Sequence, residues 1–212
     1  MISESVSLSA EPKVKATKRK IPAYLVRETI DGIDFYYPGF RQVLNKQKKL
    51  DEIMGDSGLQ FFLKDYLSDV LKIGLDKKLY RVGSGELGFH ASVRNNMGLD
   101  VVIFDKSILT PDKITPRYVT VPPKVVIEID VNVELPDHGS DLFQEYVIRK
   151  VDSLFKHGVE KVIWFFSKSK KVFIALPGQA WQIDDWNQDV ELFEGVKVNV
   201  ADYIAQEGFK LE

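Results

Sequence analysis

Lys124-Val125-Val126-Ile127-Glu128-Ile129-Asp130 and Val162-Ile163-Trp164-Phe165-Phe166 are two short apolar runs separated by a segment with helical periodicity. Short runs rich in β-branched and aromatic side chains read as strands. Both are apolar at successive positions, the pattern of central strands covered on each face. Pro122-Pro123 punctuate the entrance to the first run. The segment between them predicts a helix over 140–157, with Ser140 as N-cap, Asp141 in the first turn and Gly158 as the stop. Strand, helix and strand form a βαβ unit, so the two strands are expected to be parallel.

Working outward, Leu99-Asp100-Val101-Val102-Ile103-Phe104-Asp105 predicts a third strand, and 79–83 a short extended piece. Phe62, Tyr66, Leu67, Val70 and Leu71 recur at helical spacing and predict an amphipathic helix from about 58 to 75. Residues 47–55 predict a short helix. Asp31-Gly32, followed by alternating Ile33, Phe35 and Tyr37, predicts a hairpin. Downstream, 172–176 predicts a strand after the turn Ser167-Lys168-Ser169-Lys170, and 200–205 a terminal helix. Gly83, Gly85 and Gly88 match the G-x-G-x-x-G spacing, but no strand-to-helix junction follows them, so the segment reads as a turn. The fold class is α/β: a mixed sheet flanked by helices. Residues 1–20, with Lys13, Lys15, Lys18, Arg19 and Lys20, read as a solvated basic tail or a phosphate-contacting arm. Residues 21–212 read as one domain.

The 212 residues are 44% hydrophobic, enough to build a core without staples. The chain has no cysteine, which excludes thiolate chemistry and a disulfide scaffold. Its three histidines, His90, His138 and His157, are too scattered for a zinc cluster, so any metal is expected on carboxylates, which suit hard ions such as magnesium. A formal net charge of −2 argues against a protein that coats nucleic acid, but not against an enzyme that touches DNA along one cleft. No apolar stretch reaches membrane-spanning length, and the first residues lack an apolar signal region. The expected location is the cytoplasm.

Three charged residues sit where the pattern points inward. Glu128 interrupts a fully apolar strand. Asp100 flanks another. On a helical wheel with Phe143 at 0°, Val147 falls at about 40°, Leu154 at about 20° and Lys150 at about 340°, so Lys150 stands in the middle of the apolar stripe. Its neighbour Arg149, at about 240°, points elsewhere. Each residue has a structural reading: a strand-end glutamate, a turn aspartate, a lysine whose head reaches water. Together they also have a chemical reading. Two carboxylates can hold a divalent ion, and an ammonium turned towards them can steady a phosphate or an attacking water.

This arrangement resembles the PD-(D/E)XK nuclease superfamily, whose sites carry Asp on one strand and Asp/Glu-x-Lys on the next within an α-β-β-β-α-β core. Gly98-Leu99-Asp100 is followed 28 residues on by Glu128, and Lys150 stands eight residues before Gly158-Val159. The latter spacing resembles a bacterial restriction-endonuclease-like branch in which the lysine has moved from the strand to the following helix. Glu28…Asp31-Gly32 and Glu86-Leu87-Gly88-Phe89-His90 are also similar to that branch. The resemblance implies a restriction-endonuclease-like fold, catalytic roles for Asp100, Glu128 and Lys150, Mg2+ or Mn2+ held by Asp100 and Glu128, and DNA as substrate. A homodimer would suit cleavage of both strands. The sequence departs from the family pattern at Leu99, where proline is usual, and at Asp130, where the motif has lysine. Strand alternation puts Asp130 on the face of Glu128, as a further ligand or as the sign of a divergent site. Lys124 shares that face as another amine, and Glu86 is a fourth carboxylate candidate for the metal. Besides a magnesium-dependent endonuclease, two readings stay open: a divergent nuclease fold that binds DNA or protein without cutting, and a structural Glu128–Lys150 ion pair.

Overall fold

The structure is a computed structural model that describes residues 21–136 and 141–210. The basic tail and the Ser140 cap lie outside the described residues.

The hairpin forms as expected. β1 (Val26–Ile30) and β2 (Ile33–Tyr36) pair antiparallel across Asp31 and Gly32, whose φ angles are 49° and 80°. Positive φ at both central residues matches the right-handed twist of the strands, and Asp-Gly supplies it at low cost. A short helix the sequence did not announce, α1 (Phe40–Leu44), follows. The expected helix at 47–55 is only a 3-10 turn at Leu50–Glu52. Next comes α2 (Gly58–Gly74), started by a capping box in which Ser57 and Gln60 exchange backbone and side-chain hydrogen bonds.

β3 (Tyr80–Ser92) and β4 (Asn95–Asp105) form a long antiparallel pair. The glycine-rich segment taken as a turn is therefore part of β3, with a bulge between Ser84 and Leu87. Glycines lower strand propensity, and that masked the strand in the sequence. β5 (Val125–Ile129) pairs antiparallel with β4 and parallel with β6 (Lys161–Phe166), as the βαβ reading requires. The crossover helix α3 (Arg149–Lys156) is entered through a π-helical turn over Phe143–Ile148. β7 (Lys171–Ala175) and β8 (Gln182–Asp185) complete the sheet, while β9 (Val190–Phe193) and β10 (Val196–Val198) form a separate ribbon before α4 (Val200–Glu207). The order α2-β3-β4-β5-α3-β6 is the expected α-β-β-β-α-β series, and the mixed sheet has helices on both faces.

The core lies in two layers. On one face Val102, Phe104, Val126 and Trp164 pack against Val147, Val151 and Leu154 of the crossover helix. On the other, Ile103, Val125, Ile127 and Ile163 pack against Leu63, Leu67 and Leu71 of α2 and Ile204 of α4.

β4 is the strand that shapes the site. Its whole length pairs with β3 along one edge. The other edge is shared: β1 meets it at Asn96, and β5 meets it from Val101 to Ile103. Between these two partners, residues 97–100 face a gap in the sheet. Side-chain alternation also slips there. Leu99 packs in the α3-side core and Val101 in the α2-side core, although strict alternation would place both on one face. The slip lies opposite the β3 bulge, as expected where an extra residue twists a pair of strands. Backbone polar groups left without a ladder must find other partners.

Candidate active site

Side chains fill the gap. Lys150 reaches into it from α3 and is fully buried. Its ammonium donates to the Gly98 carbonyl at 2.8 Å, to Glu28 Oε1 at 3.0 Å and to the Tyr146 hydroxyl at 3.2 Å. These use all three of its protons. Glu128 Oε1 lies 3.2 Å away as an ion-pair partner, and no hydrogen bond reaches it. The ammonium also stands 5.5 Å from the Tyr146 ring centre and 5.8 Å from that of Trp164, within cation–π range. The helical wheel thus placed Lys150 correctly, and Arg149 is directed outward to Glu145 at 3.2 Å.

Asp100 occupies the other side of the gap. One carboxylate oxygen accepts from the Ile129 backbone N–H at 2.9 Å, standing in for the ladder bond that β4 no longer supplies. The other meets Lys64 at 2.7 Å, and Lys64 also binds Asp56 at 2.8 Å. Lys64 comes from α2, on the opposite face from Lys150. Each strand carboxylate therefore has its own lysine.

Sequence reasoning missed Lys64 and gave Glu28 no role. The signal for Lys64 was present. Gln60, Leu63, Leu67, Ser68 and Leu71 are the buried positions of α2, and Lys64 lies among them at helical spacing. The exposed Phe62 drew the apparent stripe to one side of it. Glu28 is buried on β1, yet no single-strand pattern separates it from an ordinary solvent-side glutamate.

Burial drives the electrostatics. It pushes the Glu128 carboxyl up to about 8; Lys150 opposes this, while Asp100 and Glu28 reinforce it. For Lys150, burial alone would lower the pKa, but Glu128 and Glu28 more than offset it, so the ammonium is held well above its ordinary range. The Tyr146 hydroxyl is raised by burial and then by Glu28. Lys64, desolvated but paired with Asp100 and Asp56, is also raised. The buried inventory is three acids, Glu28, Asp100 and Glu128, against two lysines, Lys64 and Lys150, an excess of one acid, with the nearly buried Arg27 beside Glu28 already paired to Glu86.

Other sequence candidates lie elsewhere. Asp130 does not share the face of Glu128. β5 ends at Ile129, Asp130 turns to φ 57°, and its carboxylate accepts from the Ser167 N–H at 2.6 Å and hydroxyl at 2.7 Å. It ties β5 to the β6–β7 turn. Asp130→Ala is expected to lower stability by about 1–3 kcal/mol in denaturant melts without changing divalent-ion affinity. Glu86 forms an ion pair with Arg27. Lys124 pairs with Glu160 at 2.8 Å near the surface.

A divalent ion is compatible with this chemistry. The donors are hard carboxylate oxygens, and Glu28 Oε2 and Glu128 Oε1 are buried without a hydrogen-bond partner. Among the described residues, no group of three or more acids or histidines already stands as a metal cage. The lysines occupy the positions around the acids, so an ion would have to share or displace them. Glu28 also lines a cavity of about 570 Å³ with Arg27, Thr29, Asn96 and Tyr118, and Gly98 lines an adjoining one of about 90 Å³. Glu28 is the member of the cluster on a cavity wall; Asp100, Glu128 and Lys150 lie behind it and line neither cavity. Among the described residues, no helix is long and apolar enough to cross a membrane.

No protein-family model matches the chain, and no curated protein matches it. Among solved structures, a protein from Anabaena variabilis described as a "putative nuclease belonging to DUF820" superposes with a TM-score of 0.60. The match covers 84% of this chain and 89% of that one at 16% identity. The likeness is therefore one of fold, carried by the mixed sheet with its flanking helices.

Proposed function

We propose that the chain is a metal-dependent nuclease of the PD-(D/E)XK type that hydrolyses DNA phosphodiester bonds. The observation that carries this reading is the buried acid in excess of the lysines in the sheet gap, Glu128, one of whose oxygens has no hydrogen-bond donor. Natural cores seldom bury a carboxylate in excess of its partners, because the desolvation cost is several kcal/mol. Glu128 can meet that cost by taking a proton, and its raised pKa expresses this. A divalent cation is the other way to balance the charge. Asp100 and Glu128 would hold Mg2+ or Mn2+. Once bound, such an ion supplies Lewis-acid stabilisation of a phosphate and a water of lowered pKa.

The residues of the chain supply the rest. Lys150, anchored by three hydrogen bonds, presents a fixed positive charge beside Glu128. There it can stabilise charge developing on the phosphate oxygens. Glu28 orients that ammonium from β1. Lys64 holds the Asp100 carboxylate in place from α2.

The test is cleavage of supercoiled plasmid with Mg2+ or Mn2+. The wild type is expected to nick or linearise DNA, and Asp100→Asn, Glu128→Gln and Lys150→Met to lose this activity. No cleavage by a folded wild type with either ion would overturn the reading. A second reading rests on the completeness of the lysine pairing: a divergent fold that binds DNA without cutting it. It predicts salt-dependent DNA retention and intact plasmid.

A further inference from the structure

We propose that the cavity beside Glu28 is a nucleotide-binding subsite in which Arg27 takes a phosphate, Tyr118 stacks a base and Glu86 occupies the phosphate position in the free protein. The inference rests on the nuclease reading and adds to it a place for a nucleotide next to the cut.

Three observations converge on the cavity. The first is Arg27. Its side chain is 10% exposed, it precedes Glu28 in β1, and it lines both cavities. A buried guanidinium needs an anion, and its planar fork suits carboxylate and phosphate alike. The partner here is Glu86, whose side chain is 41% exposed. Glu86 can therefore leave for water at small cost, whereas Arg27 cannot. That asymmetry makes Glu86 a displaceable stand-in.

The second is the glycine series of β3. Gly85, at φ 114°, forms the bulge that carries Glu86, and a side chain added there would meet only open space. The bulge therefore needs glycine for its backbone angle and not for lack of room. Gly88 has a different task. A Cβ at that position would stand 2.5 Å from Cδ1 of Tyr118. The tyrosine ring lies flat against the bare backbone of β3, a seat that any other residue would remove.

The third is Tyr118 itself. It is 59% exposed, although one side of its ring is pressed onto Gly88. The ring also lines the cavities beside Arg27 and Asn96. An exposed aromatic backed by the strand is a platform on which any base can stack, with an alanine-substitution cost of about 1–3 kcal/mol per base. The volume of about 570 Å³ lies within the range of small-ligand sites. Thr29 and Asn96 add hydrogen-bonding groups along the wall. The glycine spacing thus serves a bulge that carries Glu86 and a seat for Tyr118, not a dinucleotide loop.

The experiment is fluorescence anisotropy with a short labelled single-stranded oligonucleotide in EDTA, so that neither cleavage nor metal is required. Glu86→Gln is expected to tighten binding about fivefold to tenfold, because it removes the competitor and a repelling charge. Tyr118→Leu is expected to weaken it about tenfold or more. Gly88→Ala should weaken it in the same direction by tilting the platform. Arg27→Gln should weaken binding and reduce the salt slope by roughly one phosphate contact. Glu86 and Tyr118 are exposed enough for their variants to fold, and matching thermal melts check this. Unchanged affinity in both Glu86→Gln and Tyr118→Leu would overturn the subsite. A protein that shows these shifts but cuts no DNA with any divalent ion loses the nuclease reading alone. One that cuts DNA with affinities indifferent to both residues loses the subsite alone.

Discussion

Lys150→Met is expected to destabilise the protein by about 3–5 kcal/mol at pH 8, the cost of stranding a buried charge partner. The substitution keeps the volume of the side chain but removes the ammonium. Glu128 then faces no cation, Glu28 loses its hydrogen bond, and the Gly98 carbonyl and Tyr146 hydroxyl lose their donor. No water-filled ladder waits to replace them, since Lys150 is fully buried. The deficit should widen as pH rises above about 8 and level off below it, because Lys150 holds the Glu128 pKa down and its removal lets Glu128 keep its proton to higher pH. Urea melts of the variant and wild type across pH 5–9 measure this. A loss near zero at every pH would mean that the lysine head is solvated and the packed cluster is not formed.

The second large effect concerns Glu128. Its carboxyl is raised from an ordinary value of 4.5 to about 8 in the folded protein. A group whose folded pKa is raised contributes stability that is fully present below the unfolded pKa and lost as pH rises through the folded one. Stability of the wild type should therefore decline between roughly pH 4.5 and 8, by about 2–5 kcal/mol from this group. Glu128→Gln has no proton to lose and should flatten that slope, so the variant becomes the more stable protein above pH 8. Lys150 retains its three hydrogen bonds in this variant, which keeps it folded. Its cleavage should nonetheless drop by roughly a thousandfold or more, because a neutral amide is a poor ligand for a hard cation. A variant that gains stability at high pH and still cuts DNA would separate the electrostatics from the chemistry.

The site was readable to different depths at its different residues. Lys150 was legible because a helical wheel needs only the sequence, and the π-helical turn ends at Ile148, just before it. Glu128 was legible because charge inside a wholly apolar strand is conspicuous. Lys64 carried the same kind of signal as Lys150, but the exposed Phe62 blurred the stripe. Asp130 was misplaced by alternation, because the rule stops where the strand stops, and a positive φ at that residue turns the side chain away. Glu28 and Arg27 depended on which strand lies beside which, and that is tertiary information. Only the shared edge of β4, with β1 at one end and β5 at the other, brings Glu28 to Lys150 across 122 residues of sequence. The fold shows the same division. The hairpin, α2, β4, β5, β6 and β7 have strong local patterns. β3 was cut short by glycines whose bulge and aromatic seat make sense only in three dimensions. β8 is short and polar, β9 and β10 are only four and three residues long, and their pairing depends on neighbours the pattern does not reveal.

The central claim is that the excess buried acid in the sheet gap, Glu128, is part of the seat of a divalent cation. Calorimetric titration of the wild type with Mn2+ near pH 7, in two buffers of different ionisation heat, tests it most directly. Glu128 is mostly protonated at that pH, so saturable binding should release close to one proton per ion, vanish in Glu128→Gln, and raise the melting temperature. Absence of binding at millimolar Mn2+, or binding that releases no proton and survives in Glu128→Gln, would contradict the account.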